Sequence, residues 1–413
     1  MSKGHCFAKT ADNSCNPRVQ LRKNRYLHLP AFLYLYLEYV FIKFQKVFIC
    51  GKKSLLTLLL TLPLQWLMWG EVQAQTPKYS NEFLSIGVGA RALGMSNAFV
   101  SLANDATAGY WNPAGLPRLQ ANAQIALMHT QYFAGIAQYD YGTLAFNNES
   151  GNALGISWIR FGVDDIPDTS ELIDSEGNIN YDRIRSFSAS DNALLLSWGR
   201  RINPQLNVGI NAKIIRRTAG TFAGAWGFGL DAGIIYHWGG WQWGAIARDI
   251  TSTFNAWTYD LDERMREVFT LTGNEIPENS MEITLPSLVL GASRYFAFTP
   301  YLGLTASADL AITTDGKRNV LIKGDPFSID PALGLELNFK EVVFLRAGMG
   351  NYQQYTRPNE KQTHSLQLNM GLGVQIGNRL ALDYALTDVG DNSIALYSNI
   401  FSLRFSFNRQ ERN

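Results

Sequence analysis

From about Ala121 onward, apolar residues recur at every second position, and that period most constrains what the chain can become. In "SLQLNMGLGVQI", Leu366, Leu368, Met370, Leu372, Val374 and Ile376 alternate with Ser365, Gln367, Asn369, Gly371, Gly373 and Gln375. "GFGLDAGIIY" repeats the pattern, with Phe228, Leu230, Ala232, Ile234 and Tyr236 set against Gly227, Gly229, Asp231 and Gly233. A strand written this way has one apolar face and one polar or small face. A soluble sandwich would alternate too, so the links between strands have to decide.

About fourteen strands are expected, starting near Ala123, Gln138, Asn152, Asn192, Gln205, Ala225, Trp241, Pro286, Tyr301, Pro331, Val342, His364, Arg379 and Tyr397. Short links such as "NNESG", "RINPQ", Gly239-Gly240, "AFTP", "KE" and "GNR" alternate with long ones, among them Val163 to Ala189 and Asp249 to Leu285. An outer-membrane barrel makes tight turns on one rim and longer loops on the other, whereas a Greek-key sandwich has no reason to sort its links. An even strand number also closes the sheet and leaves no unpaired edge in lipid. The fold class expected is therefore all-β: a transmembrane up-and-down barrel of about 14 antiparallel strands. Trp158, Trp198, Tyr236, Trp238, Trp241, Trp243, Tyr295 and Tyr397 would form its interfacial girdles. The last strand, "IFSLRFSF", puts Phe401, Leu403, Phe405 and Phe407 on one face and resembles the assembly signal of such barrels.

The N-terminal region agrees with export. In "KKSLLTLLLTLPLQWLMWGEVQAQ", two lysines precede an apolar run and a small-residue tripeptide, which is the layout of a signal peptide cleaved between Ala74 and Gln75. The division expected is an upstream-started or dispensable extension over 1–51, a signal peptide over 52–74, a periplasmic segment and hatch over 75–120, the barrel over 121–407 and a tail over 408–413. Cys6, Cys15 and Cys50 all lie upstream of Gln75, which excludes thiol chemistry and disulfides in the mature chain. From Gln75 on, 26 Lys and Arg face 32 Asp and Glu, a net of −6, so nothing favours binding nucleic acid. His129, His237 and His364 stand in no Ser-His context, and the acidic run Asp164, Asp165, Asp168, Glu171, Asp174 and Glu176 lacks the spacing of a calcium loop. No enzyme, cofactor or metal site is expected.

Between the signal peptide and the first strand lies "FLSIGVGARALGMSNAFVSLANDATAGYWNPAGL", rich in Gly and Ala and too polar to face lipid. It belongs inside the barrel or below it, as a plug. Pro113 fixes its own φ and pushes Asn112 toward extended geometry, and Gly115 allows a sharp turn. Gly209, Gly229, Gly303, Gly334 and Gly371 would leave room for the plug, and inward Asp231, Asp309, Glu336 and Arg404 would take partners from it.

This segment resembles the N-terminal signature of the PorV/PorQ group of outer-membrane proteins, related to the fatty-acid transporter FadL. Ser96-Asn97 stands where that group usually has a Gly pair, and Asn104 where Asp is common. The resemblance implies a FadL-like barrel with an internal hatch and a hatch motif of Arg91, Asn112, Pro113, Ala114 and Gly115. It further implies the outer membrane of a Gram-negative bacterium, with lipid and lipopolysaccharide as surroundings. Its main functional implication is an adaptor or shuttle in type IX protein secretion, with secretion-system proteins or secreted cargo as partners. The alternative is a FadL-like passage for hydrophobic small molecules, marked by an apolar cavity beside the Asn-Pro-Ala turn that opens through a break in a strand. For the adaptor, Leu261, Met265 and Phe269 in "YDLDERMREVFTLTG" repeat at helical spacing and form either a docking helix or a cover for the chain's own barrel mouth.

Overall fold

The computed structural model describes residues 80–148, 150–172, 178–356, 362–390 and 397–408. The expected extension, signal peptide, cleavage site at Ala74 and Gln75, and most of the tail lie outside the described residues. Sixteen strands form one antiparallel sheet: β1 (Ala123–Tyr132), β2 (Ala137–Asn147), β3 (Asn152–Asp168), β4 (Arg185–Arg201), β5 (Leu206–Ala219), β6 (Ala223–Trp238), β7 (Trp241–Arg248), β8 (Thr253–Tyr259), β9 (Ser280–Thr284), β10 (Ser287–Thr299), β11 (Leu302–Thr313), β12 (Ser328–Phe339), β13 (Val343–Thr356), β14 (Gln362–Ile376), β15 (Leu380–Thr387) and β16 (Ser398–Phe407).

The sheet closes on itself, because β1 pairs with β16 from Ala123↔Phe407 to Thr130↔Ile400. It has 14 wall positions rather than sixteen. β7 and β8 both pair with β6, one below the other, and so share one position. β10 pairs with β7 and β9 with β8, so β9 and β10 share the next. The expected 14-stranded closed barrel is the one observed.

The period-two reading puts the right residues outside. Leu368, Met370 and Leu372 of β14, Phe228 and Ile234 of β6, and Phe401 and Phe407 of β16 are all exposed on the outer face. The expected girdle largely lies there too, with two corrections. Trp158 sits mid-wall opposite Gly142, and Tyr295 pairs with Thr305 on the face that holds buried Ser293 and Ser307, so it points into the lumen.

One rim carries only turns of four residues or fewer, at 148–151, 202–205, 239–240, 300–301, 340–342 and 377–379. The other rim carries the long links, although β1–β2 and β5–β6 also turn tightly there. Two expected loops are shorter than the sequence suggested. β3 continues to Asp168 and β4 begins at Arg185, so the strands outrun Val163 and Ala189. The stretch from Asp249 to Leu285 is not all loop: it holds β8, β9 and a helix, α3 (Glu263–Leu271). Asp262 caps that helix by accepting a hydrogen bond from the Met265 amide at 2.7 Å.

Residues 80–119 fill the barrel. The segment contains two short helices, α1 (Ala90–Leu93) and α2 (Ala108–Trp111), and a 3-10 turn over Pro113–Arg118. Met95, Phe99, Leu116 and Tyr139 are fully buried, so the hydrophobic core lies between hatch and wall rather than within the wall.

Candidate functional site: the hatch, its anchors and an interrupted wall

Three groups of contacts hold the hatch. The first is the Asn-Pro corner. Asn112 is fully buried with extended backbone, φ −165° and ψ 107°, the geometry that a following proline imposes. Its Nδ2 donates to the carbonyls of Val100 in the hatch (3.2 Å), Ile234 in β6 (3.1 Å) and Ala245 in β7 (3.4 Å). Its Oδ1 accepts from the Ala114 amide at 3.2 Å, so one side chain caps the 3-10 turn and ties it to two strands. The wall can come this close only because it lacks side chains there. A Cβ on Gly209 would lie 2.4 Å from both the Ala114 nitrogen and the Pro113 carbonyl carbon, and one on Gly233 would lie 2.2 Å from Asn112 Oδ1. Gly115 serves the same purpose: the sequence suggested a sharp turn, but what requires glycine is the Ala103 carbonyl oxygen, 2.3 Å from where a Cβ would sit.

The second group is ionic. Arg91, on α1, makes a two-toothed contact with Glu336 of β12, Nε to Oε2 and Nη2 to Oε1 both at 2.8 Å. Its Nη1 donates to Asn104 Oδ1 at 2.9 Å. Glu336 also accepts from Arg346 of β13 at 2.7 Å, and Arg346 reaches Asp383 of β15 at 2.7 Å. On the other flank Arg404 of β16 donates to Asp105 in the hatch at 2.5 Å. Three arginines meet three carboxylates, so the network is neutral, which is the condition under which buried charge is tolerated.

The third group is a carboxylate cap. Asp309 of β11 accepts from the Phe99 and Val100 amides at 2.8 and 2.9 Å, supplying acceptors that this irregular stretch of backbone lacks. Of the four inward polar residues expected to take partners from the plug, Asp309, Glu336 and Arg404 do. Asp231 does not: its partner is Lys213 of β5, at 2.8 Å, within the wall.

The positions that depart from the resembled motif are informative. Ser96 and Asn97 hold φ of 51° and 68°, the left-handed region that a glycine pair would occupy freely. Among the described residues the buried Ser96 hydroxyl has no hydrogen-bond partner. Ser96→Gly should therefore stabilise the folded chain by about 1 kcal/mol by relieving both costs. Denaturant-induced release of the hatch from the intact barrel measures this, and a destabilised variant would refute it.

Beside these anchors the wall is broken. Three residues of β6, 229–231, face six on the adjoining position, 248–253, and there residues 249–252 face only Leu285 and Pro286 on the next. Two neighbouring wall positions are thus interrupted at one level. Asp249 and Ser252 take left-handed φ of 55° and 58°, and Pro286 has no amide to donate. The Lys213 ammonium holds the interruption from within by bonding Asp249 and Asp231, while Thr253 also donates to Asp249. Arg248, the last residue of β7, lies over the Tyr110 ring at 4.9 Å and donates to the Leu84 carbonyl at 3.4 Å. The break therefore adjoins α2, one turn before the Asn-Pro corner. On the outside, Ile250 joins Leu154, Ile156, Leu196, Trp198 and Ile210 in lining an apolar groove of about 480 Å³.

The expected apolar cavity beside the corner is not what the hatch leaves there, since Tyr110, Leu84 and the Asn112 contacts occupy that space. Bordering Arg91, Asp105 and Arg404 is a void of about 20 Å³, room for a single water. On the long-link rim, Asp315 is half-buried; burial works against its charge, but hydrogen bonds from Arg318 and that residue's charge hold its carboxyl below the usual range. The three histidines among the described residues are dispersed: His129 contacts Asp140 on the outer face, His237 the Gln205 carbonyl, and His364 Tyr352. Among the described residues no group of three His, Cys, Asp or Glu is placed to hold a metal ion. Of the acidic run, Asp174 and Glu176 lie outside the described residues.

No family model matches the chain, and no curated protein matches it in sequence. Among solved structures it is similar to the monoaromatic hydrocarbon channel CymD, with a TM-score of 0.50 at 14% identity over 79% of this chain and 99% of that one. The toluene transporter TodX of Pseudomonas putida gives a TM-score of 0.50 at 12% identity, over 78% of this chain and 98% of that one. A FadL homologue from Pseudomonas aeruginosa gives 0.45 at 14% identity, over 78% and 98%. At such identities the likeness is one of fold.

Proposed function

We propose that the chain is a hatch-gated passage for hydrophobic small molecules in the outer membrane of a Gram-negative bacterium. The observation that carries this reading is the interruption of two adjacent wall positions beside the hatch, at Asp249–Ser252 and Leu285–Pro286. A closed barrel has no structural need for such a break, which forfeits ladder hydrogen bonds and holds two non-glycine residues in left-handed geometry. A membrane pore filled by a tightly anchored plug is useful only if the plug moves or the wall opens sideways, and an apolar solute can leave sideways into lipid. The hydrocarbon channels that share the fold support the reading. In this orientation the short-turn rim is periplasmic and the long-link rim external.

The finer reading implied by the hatch motif, a PorV/PorQ-type adaptor in type IX secretion, draws nothing further from the fold. The helix read from the sequence as either a docking helix or a cover for the barrel mouth, α3, has Met265, Val268 and Phe269 on its half-buried face and Leu261 buried beside it. Its apolar stripe is therefore turned toward the chain itself.

Radiolabelled toluene uptake by cells expressing the chain tests the passage. Entry should be several-fold faster than in cells carrying the empty vector, by about tenfold if outer-membrane passage limits uptake. Equal rates, with the barrel present in the membrane, would reject it. Co-purification of secretion machinery would instead favour the adaptor.

A further inference from the structure

Above the break, the strand β9 is held by a ladder on one side only. It pairs with β8 from Thr253↔Thr284 to Trp257↔Ser280, but β11 ends at Thr313, opposite Ser287 of β10. Among the described residues β9 has no ladder partner on its far edge. There the hydrogen-bond ladder has a gap, with β8 and β9 on one side and the link 314–327 on the other. One bond closes its lower corner, from Thr314 Oγ1 to the Pro286 carbonyl at 2.6 Å.

What spans the gap comes from the hatch. Ser80 Oγ lies 2.7 Å from Thr284 Oγ1, and Asn81 Nδ2 donates to the same Thr284 oxygen at 2.7 Å. Asn255 of β8 donates to Asn81 Oδ1 at 3.0 Å. The next residue, Glu82, turns the other way and pairs with Arg318 of the 314–327 link at 2.9 Å; Arg318 is itself fixed by Asp315 at 2.6 Å. Three consecutive residues thus grip both sides of the gap from the lumen. Asn81 is left-handed, φ 56°, so the chain reverses between the two grips.

We propose that Ser80, Asn81 and Glu82 bolt a lateral gap between β9 and the 314–327 link, and that withdrawing them opens the wall to apolar solutes. The inference rests on the passage reading for what moves through the gap, but not for the bolt itself. A strand with one free edge, hinged below at Pro286 and paired above with one neighbour, is the part of the wall that can swing with the smallest loss of ladder bonds. Its outward residues, Met281 and Ile283, present apolar surface to whatever leaves. The bolt also links wall to plug, since displacing the start of the hatch releases both sides together.

Two variants of the full chain in lipid nanodiscs test this. In Ser80→Ala, Asn81→Ala, Glu82→Gln, amide exchange across β9 should accelerate about tenfold while β1 to β5 keep their protection. Unchanged exchange in β9 overturns the bolt. In Ser80→Cys, Thr284→Cys, the two oxygens now 2.7 Å apart become sulfurs within bonding reach, and no other cysteine lies among the described residues. Its oxidised form should protect β9 in nanodiscs and abolish toluene uptake by cells expressing it, and reduction should reverse both. If the triple variant fails to give a heat-resistant barrel, this pair decides, and equal β9 exchange when oxidised and reduced overturns the proposal. If exchange responds as expected but uptake is the same locked and unlocked, the bolt stands and the passage reading falls.

Discussion

Arg91→Ala should release the hatch from its ionic anchor while leaving the barrel closed. The substitution strips Glu336 of its bidentate partner and leaves Asp105 with Arg404 as its remaining close cation. Breaking a buried pair by removing one member costs about 3–5 kcal/mol, because the remaining charge keeps its desolvation penalty. That cost falls on hatch docking, since the ladders from β1 to β16 do not pass through Arg91. The variant should still run as a heat-resistant barrel, but protease should cut between Asn81 and Pro117. Arg91→Met with Glu336→Gln removes both charges and should recover much of the loss. A protease pattern like that of the parent chain, in Arg91→Ala alone, would show that the network is surplus to docking.

An effect of similar size is expected from a single methyl group. Gly209→Ala places its Cβ 2.4 Å from backbone atoms of both Pro113 and Ala114, and backbone cannot rotate aside as the end of a long side chain can. Asn112 pins the same corner to β6 and β7, so the hatch has to leave its seat or the wall has to bend. Overpacking of this kind costs about 3 kcal/mol, toward the upper end for core insertions. Gly142→Ala is the control, because its Cβ would meet only Leu127 Cδ2 at an ordinary 3.5 Å. Comparing the two by denaturant-induced hatch release, with barrel closure followed by gel migration, checks the claim. Equal midpoints would mean that the corner tolerates a shift that its contacts give no sign of allowing.

Much of the molecule was legible in the chain. Alternation named the outward faces of β6, β14 and β16 residue by residue, and the hatch motif pointed to Arg91 and Asn112, both of which anchor the plug. The partners were harder to see. Asp105, Arg346, Asp383, Lys213 and Asp249 were not singled out, although Arg346 and Asp383 each interrupt a small-residue inward face, and that signal was available. The broken wall was missed because β9 has only five residues, too few for alternation to declare itself against a polar link.

The sequence by itself determined that this is a barrel with a plug. Side chains alternate across a strand by covalent geometry, so period two is a local fact that no distant contact can overturn, whereas two of the expected link lengths changed once the strands were paired. Only the tertiary structure decided where the plug is tied and where the wall is weak. Arg91 meets Glu336 across 245 residues and Ser80 meets Thr284 across 204, and such pairings depend on the stagger with which the sheet closes. That stagger is set by the sum of all the ladders and bulges around the ring, so no single stretch of the chain carries it.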